Sequence, residues 1–153
     1  MFSKAGCDDA RTYIQSGNVI FCAAPKIAAS LPDLIAGQIA KRFGFTAPVV
    51  LRTAEQIGAV IRDNPYVKAG VAENELHVLF LADAPAAGNI ADLNPDRSQP
   101  DTFTVLGQEV YLRLPNGAGK TKLTAQYFDS KLSTIGTQRN WRTVNKLFEL
   151  MQG

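Results

Sequence analysis

Short apolar strands and amphipathic helical segments alternate along this chain, and the sharpest pattern lies near its start. In RTYIQSGNVIF, residues 11–21, β-branched and aromatic residues stand on both sides of a short polar segment. Such side chains suit a half-buried pleated surface, and Gly and Asn tolerate the backbone angles of tight turns. The pattern predicts a β-hairpin. Gln15, Ser16 and Asn18 gather at its turn, where turn chemistry explains them but where they could also bind a ligand.

Two helices and a strand are predicted after this hairpin. Ser30-Leu31-Pro32-Asp33 is typical of a helix start, and the helical pattern that follows ends at Gly44. Residues 47–52, APVVLR, predict a strand. Thr53 with Gln56 should then cap a shorter helix that ends before Asn64-Pro65. The expected apolar face of the first helix consists of Leu31, Leu34, Ile35, Ile39 and Phe43.

The second half of the chain predicts a buried strand, a hairpin and further helices. Residues 76–82 form a continuous apolar run, which favours a strand buried on both faces. His77, the only histidine, lies in this run and is expected to be structural. Residues 102–106 and 109–114 flank a Gly-Gln pair as a second hairpin. Helices are predicted near residues 86–93, 123–132 and 140–151.

Composition is that of an ordinary globular protein. The 153 residues are 46% apolar and 20% charged, which allows one domain or two small subdomains. We find neither a membrane-spanning run nor a signal-peptide pattern, so a cytoplasmic location without membrane contact is expected. Cys7 and Cys22 should be reduced, because they form no CxxC pair. We find no motif for a nucleophile elbow, a Cys-His pair or a metal centre, so catalytic residues stay unknown and no metal or cofactor is expected.

Positive charge is concentrated in the C-terminal part. Residues 1–110 carry 9 Lys and Arg against 12 Asp and Glu, a net −3. Residues 111–153 carry 7 against 2, a net +5. The C-terminal part is therefore the expected contact for an anionic partner.

A glycine-rich segment in this basic part, NGAGKT at residues 116–121, resembles a phosphate-binding turn. Such a turn can direct backbone N–H groups at an anion, and Lys120 and Lys122 add charge. It is not a Walker A motif, because leucine occupies the position of its first glycine. Nucleotide hydrolysis is thus excluded. The alternative is a plain strand-to-helix connection capped by Thr121 or Thr124.

A second basic segment, TQRNWR, combines Arg139 and Arg142 with the only tryptophan, Trp141. Arginine binds phosphate and an aromatic ring stacks on a base, a combination that suggests single-stranded nucleic acid. The alternative is structural. In that case Thr137 caps the last helix and Trp141 packs into the core with the apolar residues that follow.

RTYIQSGNVIF, LPNGAGKTKLT (residues 114–124) and TQRNWRTVNKLFEL (residues 137–150), in this order, resemble the bacterial domain-of-unknown-function family 1697. The resemblance runs over nearly the whole chain. It implies an α+β protein without an established activity. Residues 1–70 would form an incomplete ferredoxin-like βαββαβ subdomain, and residues 71–153 a second α+β subdomain that ends in helices.

The start of the chain departs from the family pattern. Members usually open with a strand and a loop of the type ALLRGINVGG, whereas residues 2–8 here look like the end of a helix. In a ferredoxin-like unit the first strand lies mid-sheet, so its absence leaves neighbouring strands with unpaired backbone groups. The chain would then have a misassigned start, be a fragment, or fill the gap another way. We expect a partner chain, as in a homo-oligomer, or rearranged pairing to fill it.

The residues alone do not identify a reaction. The leading interpretation is a binding or accessory module for an anionic ligand, nucleic acid included, bound by its basic C-terminal part. The alternative is an enzyme acting on a small phosphorylated or acylated metabolite, with Asn116, Lys120 and the Gln15-Ser16-Asn18 turn around one pocket. A third interpretation is a degenerate relative with an oligomeric role or none. The candidate ligand-binding residues are Gln15, Ser16, Asn18, Asn116, Lys120, Lys122, Arg139 and Arg142.

Overall fold

A computed structural model describes residues 8–12, 18–22, 32–35, 37, 40–41 and 49–152; in the first hairpin it describes the backbone and the side chains of Asn18 and Ile20. Within these ranges the chain combines helices with antiparallel sheets, which confirms the predicted α+β class. The elements are β1 (Asp8–Thr12), β2 (Val19–Cys22), α1 (helical residues 32–35, 37 and 40–41), α2 (Ala54–Asp63), α3 (Pro65–Lys68), a 3-10 turn (Glu73–Glu75), β3 (Leu76–Leu81), α4 (Ala87–Ala91), β4 (Thr102–Leu106), β5 (Glu109–Arg113), α5 (Ala125–Leu132), β6 (Gly136–Asn140) and α6 (Trp141–Gln152).

The first hairpin is confirmed. β1 and β2 pair antiparallel, with Arg11 opposite Ile20 and an irregularity between Asp8 and Arg11. Its turn, including Gln15 and Ser16, lies outside the described residues. The helix end predicted at residues 2–8 also lies outside them, except for Asp8, which belongs to β1.

A four-stranded antiparallel sheet, in the order β4-β5-β3-β6, organises the rest of the described chain. β3 lies between β5 and β6, with Val78 opposite both Tyr111 and Arg139. Successive residues of a strand point to opposite faces, and β3 is buried on both. This confirms the interpretation of its apolar run. The second hairpin is confirmed as well, with β4 and β5 joined through Gly107, which adopts a positive φ of 60°.

Each face of this sheet has its own apolar core. On one face, Leu79 and Leu81 pack with Leu114, Leu123 and Phe128 beneath α5. On the other, alternate β3 residues pack against α2 and α6. That second core contains Ile57, Val60, Leu76, Val78, Phe80, Tyr111, Trp141 and Val144. α2 and β3 lie on either side of residue 70, the predicted subdomain boundary, and they share this core.

Threonine side chains cap the N-termini of α2 and α5, as the sequence predicts. The Thr53 Oγ1 accepts the Gln56 N–H at 3.1 Å, and the Gln56 Oε1 accepts the Thr53 N–H at 2.8 Å, so the predicted capping box before α2 exists. Thr124, one of the two residues considered, caps α5 by accepting the Tyr127 N–H at 3.2 Å. Thr121 accepts the N–H of Leu123 instead.

Three local predictions are wrong. Residues 49–52 are not a strand, and Leu34 of the expected apolar face is 43% exposed while its neighbour Ile35 is buried. Thr137 does not cap the last helix, because it lies within β6. The Asn140 Oδ1 fills that role by accepting the Thr143 N–H at 2.8 Å. Leu31, Ile39 and Phe43, also assigned to that apolar face, lie outside the described residues.

Candidate functional site

The structure brings two of the predicted site residues together, Asn18 before β2 and Arg139 on β6. The Arg139 Nε donates to the Asn18 Oδ1 at 2.7 Å, and its Nη1 donates to the Gln138 carbonyl oxygen at 2.8 Å. These bonds fix the plane of the guanidinium group. Arg139 is half-buried, and this burial lowers its pKa from the usual arginine value, because desolvation penalises the charged form.

Asn18 and Arg139 line a cavity of about 120 Å³ on the sheet face covered by α2 and α6. Arg139 and Thr137 reach this face because they pair with Val78 and Phe80 of β3, which point to it. Among the described residues, Arg52 is the fourth polar residue of the lining. The apolar lining residues are Ile20, Val50, Ile57, Phe80, Leu147 and Met151.

Arg52 is fixed at the cavity wall by a dense set of contacts. Its guanidinium forms an ion pair with the Glu109 carboxylate, 3.0 Å from Nη2 to Oε2. The same Nη2 donates to the carbonyl oxygens of Leu81 and Gln108 at 2.7 and 3.0 Å. The group also lies over the Phe80 ring, 5.6 Å from its centroid. Arg52 therefore ties residues 49–52 to the β4–β5 turn.

Sequence reasoning missed Arg52 and Thr137 as lining residues. The only signal for Arg52 is one arginine at the end of the apolar segment APVVLR, and arginine at that point also suits an exposed strand end. Thr137 was assigned to a helix cap because β6 was not predicted. Whether Arg52 and Thr137 line a cavity depends on how parts of the chain that are distant in sequence pack together.

The glycine-rich loop lies elsewhere. Asn116, Lys120 and Lys122 are exposed on the connection between β5 and α5. The Lys122 N–H donates to the Ser98 Oγ at 2.9 Å, and the Lys122 carbonyl accepts from the Arg97 Nε at 2.9 Å. None of these three site residues lines the Arg139 cavity. The described structure does not bring them to Asn18.

Arg142 lies apart from Arg139 as well. It is exposed at the start of α6 and lines an open groove of about 660 Å³ with residues of the 3-10 turn and α6. Trp141 is only 3% exposed and packs in the second core with Val144 and Phe148. The structural interpretation of Trp141 is therefore confirmed, and its ring does not face solvent for base stacking.

Among the described lining residues of the cavity, the charged side chains are those of Arg52 and Arg139. The described residues contain no group of three or more His, Cys, Asp or Glu that could hold a metal ion. Burial in β3 lowers the pKa of His77. Arginine offers a planar fork of donors that matches a carboxylate or phosphate.

Among the helices of the described residues, none combines the length and the apolar character that a membrane span requires.

Comparison with known proteins identifies a protein family for this chain. The model of the family DUF1697, described as a protein of unknown function, matches residues 1–111. The match includes RTYIQSGNVIF and ends before the two basic motifs. The comparison with curated proteins and the comparison with solved structures gave no match.

Proposed function

Since this chain belongs to the DUF1697 family of proteins of unknown function, we propose that it is a binding module for a small anion, held by Arg139 in the cavity described above. The observation that carries the proposal is a half-buried guanidinium, oriented by Asn18 and Gln138, in a cavity wall. Attraction between opposite charges is stronger at a partly desolvated site than in water.

The size of the cavity limits the ligand. At about 120 Å³ it is far smaller than the roughly 300–1,000 Å³ typical of pockets for drug-sized ligands. We therefore expect a ligand of only a few non-hydrogen atoms.

Replacing Arg139 by glutamine should weaken anion binding about 10- to 100-fold, since one charge-assisted hydrogen bond contributes about 1.5–3 kcal/mol. Isothermal titration with sodium acetate and with sodium phosphate measures this. The matched control is Arg142→Gln, the same charge change at an exposed position outside the cavity. Arg139→Lys keeps the charge but loses the fork, so it should bind with intermediate affinity.

Thermal melting of each variant shows whether it is folded before titration. Equal affinities for wild type and Arg139→Gln would contradict the proposal. So would an equal loss in Arg142→Gln, because the effect would then be one of overall charge.

A second candidate function is nucleic-acid binding by the basic C-terminal part. Lys120, Lys122 and Arg142 are exposed, as phosphate contacts need to be. Fluorescence anisotropy of labelled single-stranded RNA and DNA should show binding that weakens steeply with salt. Lys120→Glu combined with Arg142→Glu should abolish that binding without unfolding the protein. Absence of binding at low salt would exclude this candidate.

Other parts of the interpretation stay predictions. Among the described residues β1 and β2 form a two-stranded sheet, and a further strand from a second copy could extend it into a homo-oligomer. Light scattering that gives the 16.5 kDa monomer mass would contradict this.

Enzymatic action on a phosphorylated or acylated metabolite would need Asn116 and Lys120 near Asn18. If the Lys120→Ala variant hydrolyses such compounds as fast as wild type does, this alternative is wrong. The ferredoxin-like arrangement, the division at residue 70, the bacterial origin and the cytoplasmic location also stay predictions.

A further inference from the structure

We infer that Arg97, together with Lys120 and Lys122, binds the phosphates of a single-stranded nucleic acid. The inference rests on the second candidate function above and names the residues that carry it. Arg97 lies in the connection between α4 and β4, outside the basic C-terminal part, so neither basic motif indicated it. Two observations support the site: the way in which the Arg97 side chain is held, and the exposed lysines of the loop that it contacts.

The Arg97 side chain is exposed, yet two contacts fix its position. Its guanidinium lies over the Tyr127 ring, with Cζ 4.1 Å from the centroid, a distance at which an aromatic face attracts a cation. Its Nε donates to the Lys122 carbonyl oxygen at 2.9 Å. Among the described residues, none accepts a hydrogen bond from its Nη1 or Nη2. These two nitrogens are therefore held in place with donors for phosphate oxygens.

The connection that carries Arg97 is itself tied to its neighbours. The Asn94 N–H donates to the Tyr127 hydroxyl at 3.0 Å, and the Lys122 N–H donates to the Ser98 Oγ at 2.9 Å. Tyr127 belongs to α5 and packs against the first core. A ligand would thus meet a guanidinium that is already ordered, which lowers the entropy cost of binding.

The charge around Arg97 favours an anion. Lys120 and Lys122 are exposed, and within the described structure neither they nor Arg97 form an ion pair. Two carboxylates lie within four residues of Arg97 in sequence, those of Asp96 and Asp101. Asp96 is exposed, whereas Asp101 is only 5% exposed. Three cations at the surface attract a polyanion more strongly than the one exposed carboxylate repels it.

The exposure of all three cations favours a polymer as the ligand. A nucleic-acid backbone presents successive phosphates, which separate basic side chains can bind together. The guanidinium of Arg97 is planar, and an unpaired base can stack on the face that is turned away from Tyr127. A single strand suits this arrangement because its bases are free to stack.

The test is fluorescence anisotropy of labelled single-stranded RNA, titrated with the full chain at a series of salt concentrations. Arg97→Gln should weaken binding about tenfold, since one charge-assisted contact to a phosphate is lost. The plot of log affinity against log salt should become shallower by about 0.7, the contribution of one phosphate of a single strand. Arg62→Gln, the same charge change at an exposed position on α2, is the control and should leave affinity and slope unchanged.

Tyr127→Leu tests whether the ring positions Arg97. Leucine keeps an apolar side chain on α5 but removes the aromatic face, so affinity should fall about two- to fivefold. The salt slope should stay that of wild type, because no charge is lost. Tyr127→Phe keeps the face and removes the hydroxyl that binds Asn94, so it should bind more tightly than Tyr127→Leu. Thermal melting shows that each variant is folded before titration.

The outcomes separate this inference from the candidate function on which it rests. RNA binding that Arg97→Gln weakens, with a shallower salt slope, supports both. If RNA binds and Arg97→Gln weakens it no more than Arg62→Gln, the Arg97 site is wrong, while nucleic-acid binding by the basic C-terminal part stands. If inorganic phosphate, at an ionic strength matched with sodium chloride, displaces the probe as effectively as unlabelled RNA does, the site binds a small phosphate and the nucleic acid is wrong. If RNA does not bind at low salt, both are wrong.

Discussion

Replacing Arg52 by methionine should lower the free energy of unfolding by about 3–5 kcal/mol, the usual loss when one partner of a buried ion pair is removed. The Arg52 side chain is 8% exposed and that of its partner Glu109 is 17% exposed. Methionine would leave the Glu109 carboxylate buried without its cation. It would also remove the donor to the carbonyl oxygens of Leu81 and Gln108, which ties residues 49–52 to the sheet.

Urea denaturation of wild type and variant measures this loss. Arg62→Met is the matched control, because Arg62 is 73% exposed and pairs with its exposed neighbour Asp63. Its effect should stay within about 0.5 kcal/mol, as is usual for surface substitutions. The double variant Arg52→Met/Glu109→Gln should recover part of the loss, since no buried charge is left. If Arg52→Met is no more destabilising than Arg62→Met, the Arg52–Glu109 ion pair does not stabilise the fold.

Replacing Phe128 by alanine should also cost about 3–5 kcal/mol, the range for truncation of a fully buried aromatic side chain. Phe128, on α5, has no exposed surface and lies at the centre of the first core. Its ring makes edge-to-face contacts with Phe103 and Tyr127, both at 5.3 Å between centroids. Truncation would remove these contacts and leave a cavity between α5 and the sheet.

Chemical denaturation again gives the measurement. Leu106→Ala removes apolar atoms at a 44% exposed position and should change stability by less than about 1 kcal/mol, because only a small area is lost from burial. A loss in Phe128→Ala as small as that in Leu106→Ala would mean that α5 does not pack on the sheet as described.

Sequence patterns predicted the elements whose signals are local. The apolar run of β3, the Gly107 turn of the second hairpin and the Thr53–Gln56 capping box each depend on neighbouring residues alone. Such patterns report burial and backbone angles directly. They therefore gave the α+β class and most helix and strand positions in the described chain.

Elements that depend on distant pairing were not predicted. β6 has a polar sequence, GTQRN, and is a strand because β3 pairs along its length. The helix-cap interpretation of Thr137 failed for this reason. Residues 49–52 have the composition of a strand, yet Arg52 holds them by side-chain bonds instead.

The candidate site shows the same limit. Asn18 and Arg139 were both proposed as ligand-binding residues, but from separate motifs 121 positions apart. Nothing in either motif indicates that they meet. The glycine-rich loop gave the more familiar pattern, yet its residues Lys120 and Lys122 lie away from the cavity. Local resemblance to a phosphate-binding turn was thus a poorer guide than tertiary packing.

The most direct test of the proposed anion site is an NMR titration that follows the arginine side-chain Nε–H signals while sodium acetate is added. We expect the Arg139 signal to shift and saturate, since its guanidinium group binds the carboxylate, while the signal of exposed Arg142 stays in place. An Arg139 signal that does not move, or arginine signals that all drift together without saturating, would contradict a specific anion site in this cavity.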